Sequence, residues 1–148
     1  MSVRKVSRTN ADLAADLRLA VMRLRRRLAS ERHPDNELSI NQMGVLGVLA
    51  RRGAMSVGEL ASAEKVRPPS MTRTVGCLEE SGDVLKRPHE TDRRQIVVEL
   101  SAQGRGRVAA DRERRDAWLD QRLGELSADE RAVLRKAAVI LDALAQKD

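Results

Sequence analysis

Aromatic side chains are almost absent from this chain of 148 residues, which contains no Phe, no Tyr and a single Trp, Trp118. Proteins that read RNA or single-stranded DNA commonly stack unpaired bases on exposed aromatic rings. The composition therefore argues against a reader of single strands.

Cysteine, histidine and long apolar runs are also scarce. The single cysteine, Cys77, excludes an intrachain disulfide framework and suits a reducing compartment. His33 and His89 have no metal-ligand spacing with it, and no catalytic triad order, phosphate-binding loop or dinucleotide fingerprint is present. No apolar run approaches the roughly 20 residues that span a bilayer, and no signal peptide is evident. We expect a cytoplasmic protein that is not an enzyme and has no metal, cofactor or membrane partner.

Charge is abundant, with 28 Lys and Arg against 22 Asp and Glu and a net charge of +6. The length suits one domain with a modest core. The positive balance suits a polyanionic partner, either nucleic acid or an anionic membrane surface.

Residues 56–101 begin with the pattern of two short helices joined by a tight turn. Ser56 starts a capping box, which predicts a first helix over Val57–Glu64. The second helix begins at Pro68-Pro69, because the ring-locked φ of proline suits a first helical turn, and Gly82 ends it. This order is typical of a helix-turn-helix.

The second of these helices has two different faces. At about 100° per residue, the inward face comprises Met71, Thr74, Val75 and Leu78. The outward face is small, hydroxylated and basic, and comprises Pro69, Ser70, Arg73, Gly76, Cys77 and Glu80. A helix that enters the major groove needs such a face, with an Arg for guanine or phosphate. The alternative is an amphipathic helix with a solvated outer surface.

A charged β-hairpin is predicted next, with strands at Asp83–Pro88 and Gln95–Ser101. In its second strand Ile96, Val98 and Leu100 alternate with Val97 and Glu99. The connecting residues 87–94 cannot form a core and should project, and Arg is the side chain best suited to a narrow minor groove. Asp92 is spaced to hold the Arg94 guanidinium by a bidentate pair. The alternative is an ordinary solvated hairpin tip.

These residues resemble the MarR (multiple antibiotic resistance regulator) family of winged helix-turn-helix transcription factors. The family's wing motif, D-x-R followed by L-[ST]-x-x-G, is matched by Asp92, Arg94, Leu100, Ser101 and Gly104. Its recognition helix is matched by Ser70, Thr72, Arg73, Leu78, Glu79 and Gly82. One departure is Cys77, which stands where such helices often carry a basic residue.

The resemblance implies a mainly α fold with a small β-hairpin wing, flanked by N- and C-terminal dimerisation helices. The whole chain, 1–148, is then one unit, with dimerisation helices over about 1–35 and 102–148 and the winged region over about 39–101. Contacts to double-stranded DNA are implied for Pro69, Ser70, Thr72 and Arg73 in the major groove and for Arg94, steadied by Asp92, in the minor groove. Phosphate contacts are implied for Arg87 and Arg93, and for the helix N-termini at Ser39, Gln42 and Ser56.

The flanking segments carry apolar stripes at helical spacing, which favours a homodimer. The first helix should run from Thr9 or Asn10 to about Arg32, the next from Ser39 to Arg52, a charged one over 102–123, and the last from Ser127. The stripe of the first comprises Leu13, Leu17, Ala20, Val21, Leu24 and Leu28, and that of the last comprises Leu126, Val133, Leu134, Ala137, Ile140, Leu141 and Leu144. Little else in the chain can cover them, unless they pack on each other.

The resemblance further implies a repressor on a pseudo-palindromic operator, released by a phenolic, aromatic-acid or lipophilic effector. Arg18 and Arg25 beside the first apolar stripe are the candidate effector residues. Two alternatives remain open: a regulator switched by oxidation of Cys77, and a non-specific architectural DNA-binding protein or a basic protein of the membrane surface.

Overall fold

A computed structural model describes residues 9–147, and within them the chain is mainly helical. The elements in chain order are α1 (Asn10–Ser30), α2 (Ile40–Arg52), β1 (Met55–Ser56), α3 (Val57–Ala63), α4 (Pro68–Glu80), β2 (Val84–Pro88), β3 (Ile96–Leu100), α5 (Ala102–Gly124) and α6 (Ala128–Ala145). The predicted helices and both hairpin strands are confirmed to within about two residues at each end. The fold is a winged helix-turn-helix between long terminal helices.

Local signals set where these helices begin. Capping boxes start α2 at Ser39, α3 at Ser56 and α6 at Ser127, each with a Gln or Glu three residues later that bonds back to the cap. α4 has no side-chain cap, because its prolines at the first two positions remove two donors that would need one.

The core lies under α4. Met71, Val75 and Leu78 of α4 are buried against aliphatic residues of α2, α3 and the sheet, whereas Thr74, also predicted to face inward, is only half-buried. In α2 the buried residues include Met43, Leu46 and Leu49. The burial of apolar surface in this cluster stabilises the packing by about 25 cal/mol per Å² and so fixes α4 on the domain.

The sheet has a third strand that the sequence did not predict. β1 pairs with β3, which also pairs with β2, and the order β1-β3-β2 is antiparallel throughout. The simple alternation expected for β3 is wrong, since Ile96 is 48% exposed and Val97 is buried. Val97 lies between Ser56 and Arg87 in register, so its neighbours cover the outer face of this central strand.

The wing joins α5 through a close junction around Asp83, whose side chain is fully buried. Its carboxylate accepts from Arg107 Nε at 2.9 Å and from Ser81 Oγ at 2.6 Å. Its carbonyl oxygen would lie 2.0 Å from a Cβ at position 104, so only Gly104 fits there. The L-[ST]-x-x-G motif thus has a structural cause: its Ser caps α5 and its Gly lets the helix touch the turn before β2.

A second buried carboxylate, Asp111 of α5, holds the α1–α2 connection. It accepts from the His33 backbone N–H at 3.1 Å and from Asn36 Nδ2 at 2.6 Å. Its ion pair with Arg115 is longer, at 3.8 Å. The connection that leads into the winged region is therefore fixed to α5.

The terminal helices leave their apolar stripes uncovered within one chain. Neither α1 nor α6 contains a buried residue, and Val133, Ile140 and Leu144 are each more than half exposed. The alternative that α1 and α6 cover each other's stripes is therefore wrong for this chain.

Candidate DNA interface

The N-terminal half of α4 presents an exposed polar face. Pro69, Ser70, Thr72 and Arg73 are all exposed. Thr72 Oγ1 donates to the Pro68 carbonyl at 3.0 Å, so its outward groups are the methyl and an acceptor lone pair. Within residues 9–147, the Arg73 side chain has no hydrogen bond or ion pair, which leaves a full set of guanidinium donors for a partner.

The wing tip is ordered by bonds to backbone N–H groups. His89 Nδ1 accepts from the N–H groups of Thr91 and Asp92, both at 3.3 Å. Asp92 Oδ1 accepts from the Arg94 backbone N–H at 3.1 Å. The predicted pair between Asp92 and the Arg94 guanidinium is wrong, because a carboxylate two residues before Arg94 in a turn meets its N–H first, as in an Asx-turn. Asp92 shapes the turn, and the Arg94 guanidinium has no ion pair in the described part of the chain.

Two other cations of the hairpin are paired inside the chain. Arg87 Nε lies 3.4 Å from Glu99 Oε2 across the β2–β3 ladder, and Lys86 Nζ lies 2.7 Å from Glu79 Oε2 of α4. Neither carboxylate was predicted as a partner from the sequence, since each lies close to its cation only after the hairpin and α4 have docked. Arg87, which was predicted to contact a phosphate, is thus already paired with Glu99.

A groove of about 450 Å³ separates α4 from the wing. Thr72 and Val75 line it from α4, Lys86 and Arg94 from the hairpin, and Val57 from the start of α3. The structure therefore brings one predicted major-groove residue, Thr72, and the predicted minor-groove residue, Arg94, to the same surface.

The two helix N-termini that were predicted to bind phosphate, those of α2 and α3, differ in charge. At α2, the Ser39 N–H donates to the neutral Gln42 amide oxygen at 2.7 Å. At α3, the Ser56 N–H donates to the Glu59 carboxylate at 2.8 Å. An anionic group at the N-terminus already satisfies the helix dipole and repels a phosphate, so the start of α2 is the better phosphate site.

The candidate redox residue and the candidate effector residues do not line the groove between α4 and the wing. Cys77 is exposed on α4, as predicted. Arg18 and Arg25 are exposed on α1 and line neither the groove beside the wing nor the shallow groove along α5.

Metal-binding clusters and membrane-spanning helices are both absent from residues 9–147. This part of the chain contains no cluster of three or more His, Cys, Asp or Glu side chains placed to hold a metal ion. None of its helices has the length and apolar content needed to cross a membrane.

Comparison with known proteins gives consistent matches. A family model described as the MarR family matches residues 38–96. An HTH-type transcriptional regulator of Mycobacterium tuberculosis is 46% identical over 136 residues, which are 92% of this chain and 94% of the relative. Among solved structures, a Pseudomonas aeruginosa protein described as a transcriptional regulator has a TM-score of 0.83 and 33% identity over 95% of this chain and 99% of that one. BpsR of Bordetella bronchiseptica, whose DNA binding is regulated by 6-hydroxynicotinic acid, shares the fold at a TM-score of 0.66 and 22% identity, covering 97% and 98%.

Proposed function

The chain belongs to the MarR family of helix-turn-helix transcriptional regulators, and we propose that it represses transcription as a homodimer bound to a pseudo-palindromic operator. The observation that carries this proposal is the juxtaposition of the exposed residues Ser70, Thr72 and Arg73 of α4 with Arg93 and Arg94 of the adjacent wing, which have no ion pair within residues 9–147. It acts by binding, in the cytoplasm and on the nucleoid, rather than by catalysis.

The exposed faces of α4 and of the wing support a division of the DNA contacts between them. Ser70, Thr72 and Arg73 face base edges of the major groove, where a bidentate Arg–guanine contact discriminates by about 1–3 kcal/mol. Arg94, with Arg93 beside it, enters the flanking minor groove or binds its phosphates. Ser39 and Gln42 at the start of α2 bind a phosphate, and Ser56 contributes less because Glu59 shares its site.

The proposed dimer uses the apolar stripes of α1 and α6. Leu13 and Val21 on α1, and Val133 and Ile140 on α6, are exposed in one chain and would be covered by the same helices of a partner. Two recognition helices would then meet successive major grooves, with half-sites centred roughly 10 bp apart.

Selection of DNA from random or genomic fragments by the purified protein, followed by sequencing, tests the function. We expect an inverted repeat and a footprint confined to it. Sedimentation at micromolar concentration should show a dimer. A monomer, or enrichment without any repeat, would contradict the proposal and favour a non-specific architectural role.

The effector is proposed to be an aromatic acid or a lipophilic compound. The support is family membership together with BpsR, a neighbour in fold whose DNA binding responds to a pyridine carboxylic acid. Arg18 and Arg25 remain the candidate residues for its carboxylate.

A further inference from the structure

The ion pair between Lys86 and Glu79 joins the wing to the recognition helix at the DNA-facing groove. We propose that Glu79 limits binding to non-specific DNA by holding the Lys86 ammonium away from phosphates, which makes Glu79 a specificity-determining residue. This inference rests on the proposed DNA-binding function.

The position of Lys86 supports a role at the interface. Its side chain lines the groove together with Thr72 and Arg94, which approach DNA from either side in the proposed docking. A duplex that touches both α4 and the wing passes over this groove. An unrestrained ammonium there would reach a phosphate of any sequence.

The charge balance of the winged region gives such a restraint its importance. Residues 38–101 carry nine Lys and Arg against eight Asp and Glu, so the region is almost neutral. Non-specific affinity depends on how many phosphates the protein neutralises, whereas base-edge contacts carry the sequence preference. A cation that is paired within the protein contributes less to the affinity for non-specific DNA, while the base contacts of Ser70 and Arg73 are kept.

The exposure of the pair sets the size of the effect. The Lys86 side chain is 32% exposed and the Glu79 side chain 46%, so water screens their attraction and a phosphate competes with the carboxylate. The restraint therefore changes affinity several-fold rather than by orders of magnitude. Glu80, the next residue, is exposed and has no ion pair within residues 9–147, which makes it the matched control for loss of one negative charge.

The test is a double-mutant cycle. Glu79→Gln and Glu80→Gln are each made in the wild-type chain and in Lys86→Gln, and dissociation constants are measured for the selected operator and for a random duplex over a range of salt. We expect Glu79→Gln to tighten random-duplex binding about three-fold, the scale of an exposed ion pair, and to steepen the salt slope by up to about 0.9. The operator-to-random ratio should fall.

Dependence on Lys86 is the deciding result. In the Lys86→Gln background the additional effect of Glu79→Gln should be lost, whereas the effect of Glu80→Gln should be the same in both backgrounds. Equal behaviour of the two Glu variants would overturn the inference, and so would weaker binding of both duplexes by Glu79→Gln, which would mean that the pair only positions the wing. A wild-type chain without operator preference would count against the proposed function instead, and the random-duplex measurements would still decide the role of Glu79.

Discussion

Arg73 is the side chain on which base recognition depends most in the proposed interface. It is exposed and has no internal partner within residues 9–147, so its loss does not disturb the fold. Arg73→Ala should weaken operator binding and relax one operator position by about 1–3 kcal/mol. Binding to a library of operators with single substitutions measures this. Arg135→Ala, which removes an exposed Arg of α6, is the control and should leave the preference unchanged.

Arg94 and Asp92 have separable roles in the wing. Arg94→Ala should lower affinity with little change in the major-groove consensus, because minor-groove and phosphate contacts carry less sequence information. Asp92→Ala should reproduce part of that loss, because it removes the carboxylate that accepts a hydrogen bond from the Arg94 backbone N–H.

Asp92→Asn distinguishes the causes, because its amide oxygen can still accept from the backbone while its charge is gone. Gel-shift titrations should therefore rank Asp92→Asn at or above wild type and Asp92→Ala below it. Full affinity in Arg94→Ala and Asp92→Ala would rule out the wing contact.

Gly104 and Gly76 should respond in opposite ways to the same substitution. A Cβ at position 104 would lie 2.0 Å from the Asp83 carbonyl oxygen, so Gly104→Ala must displace α5 or the wing and should destabilise by about 1–3 kcal/mol. A Cβ at position 76 meets no atom within 4 Å, so Gly76→Ala should stabilise by up to about 1 kcal/mol through helix propensity.

Urea unfolding of both variants tests this pair. If Gly76→Ala is more stable yet binds the operator more weakly, close approach of DNA explains the glycine. Unchanged operator binding would make Gly76 a tolerated helix defect.

The start of α6 should be sensitive to acid. Glu130 accepts from the Ser127 backbone N–H at 2.8 Å, and this bond, with that to the Ser127 hydroxyl, lowers the pKa of Glu130 below its usual 4.5. A lowered folded-state pKa means that the contribution to stability is present above the unfolded value and is lost as the pH falls through the folded one. Protection factors for amide exchange in the first turn of α6, which are corrected for the intrinsic pH dependence of exchange, should therefore fall below about pH 4.5.

Glu130→Gln is the control for this pH dependence, since the capping box of α2 is formed with a glutamine, Gln42, at the same position. It should keep the cap and lose the acid response. The same acid response in the Gln variant would assign the effect to other groups.

Trp118 should report movement between the long helices of the whole molecule. The centroid of its ring lies 4.9 Å from Arg27 Cζ of α1 and 5.9 Å from Arg122 Cζ of α5. An effector acts only if its affinity differs between two arrangements of the recognition helices. We expect a salicylate-like acid to change Trp118 emission and to weaken operator binding over the same concentration range.

Fluorescence titration beside gel shifts checks this, with Arg27→Ala as a variant whose emission baseline should already be shifted. If millimolar aromatic acids and lipophilic drugs change neither signal while peroxide abolishes binding in wild type but not in Cys77→Ser, the thiol is the switch instead.

The elements of this protein are determined largely by local sequence. Capping boxes at Ser39, Ser56 and Ser127, the prolines that open α4 and the left-handed Gly82 act within a few residues of each helix end, so they need no tertiary context. The motif around the wing was sufficient to indicate the family, because it combines a turn, a helix cap and a close-packed glycine in one segment.

Tertiary structure alone decided the partners of the charged residues. Lys86–Glu79 and Arg107–Asp83 join elements whose distance is set only when the hairpin docks, and β1 exists only because β3 offers it an edge. Asp92 shows that sequence spacing is insufficient even at short range. The spacing indicated a carboxylate near Arg94, but not that this carboxylate would accept from the Arg94 backbone N–H rather than from the guanidinium. Periodicity identified the buried face of α4 through Met71, Val75 and Leu78, whereas the partner of a flexible charged side chain depends on every group that the fold brings within reach.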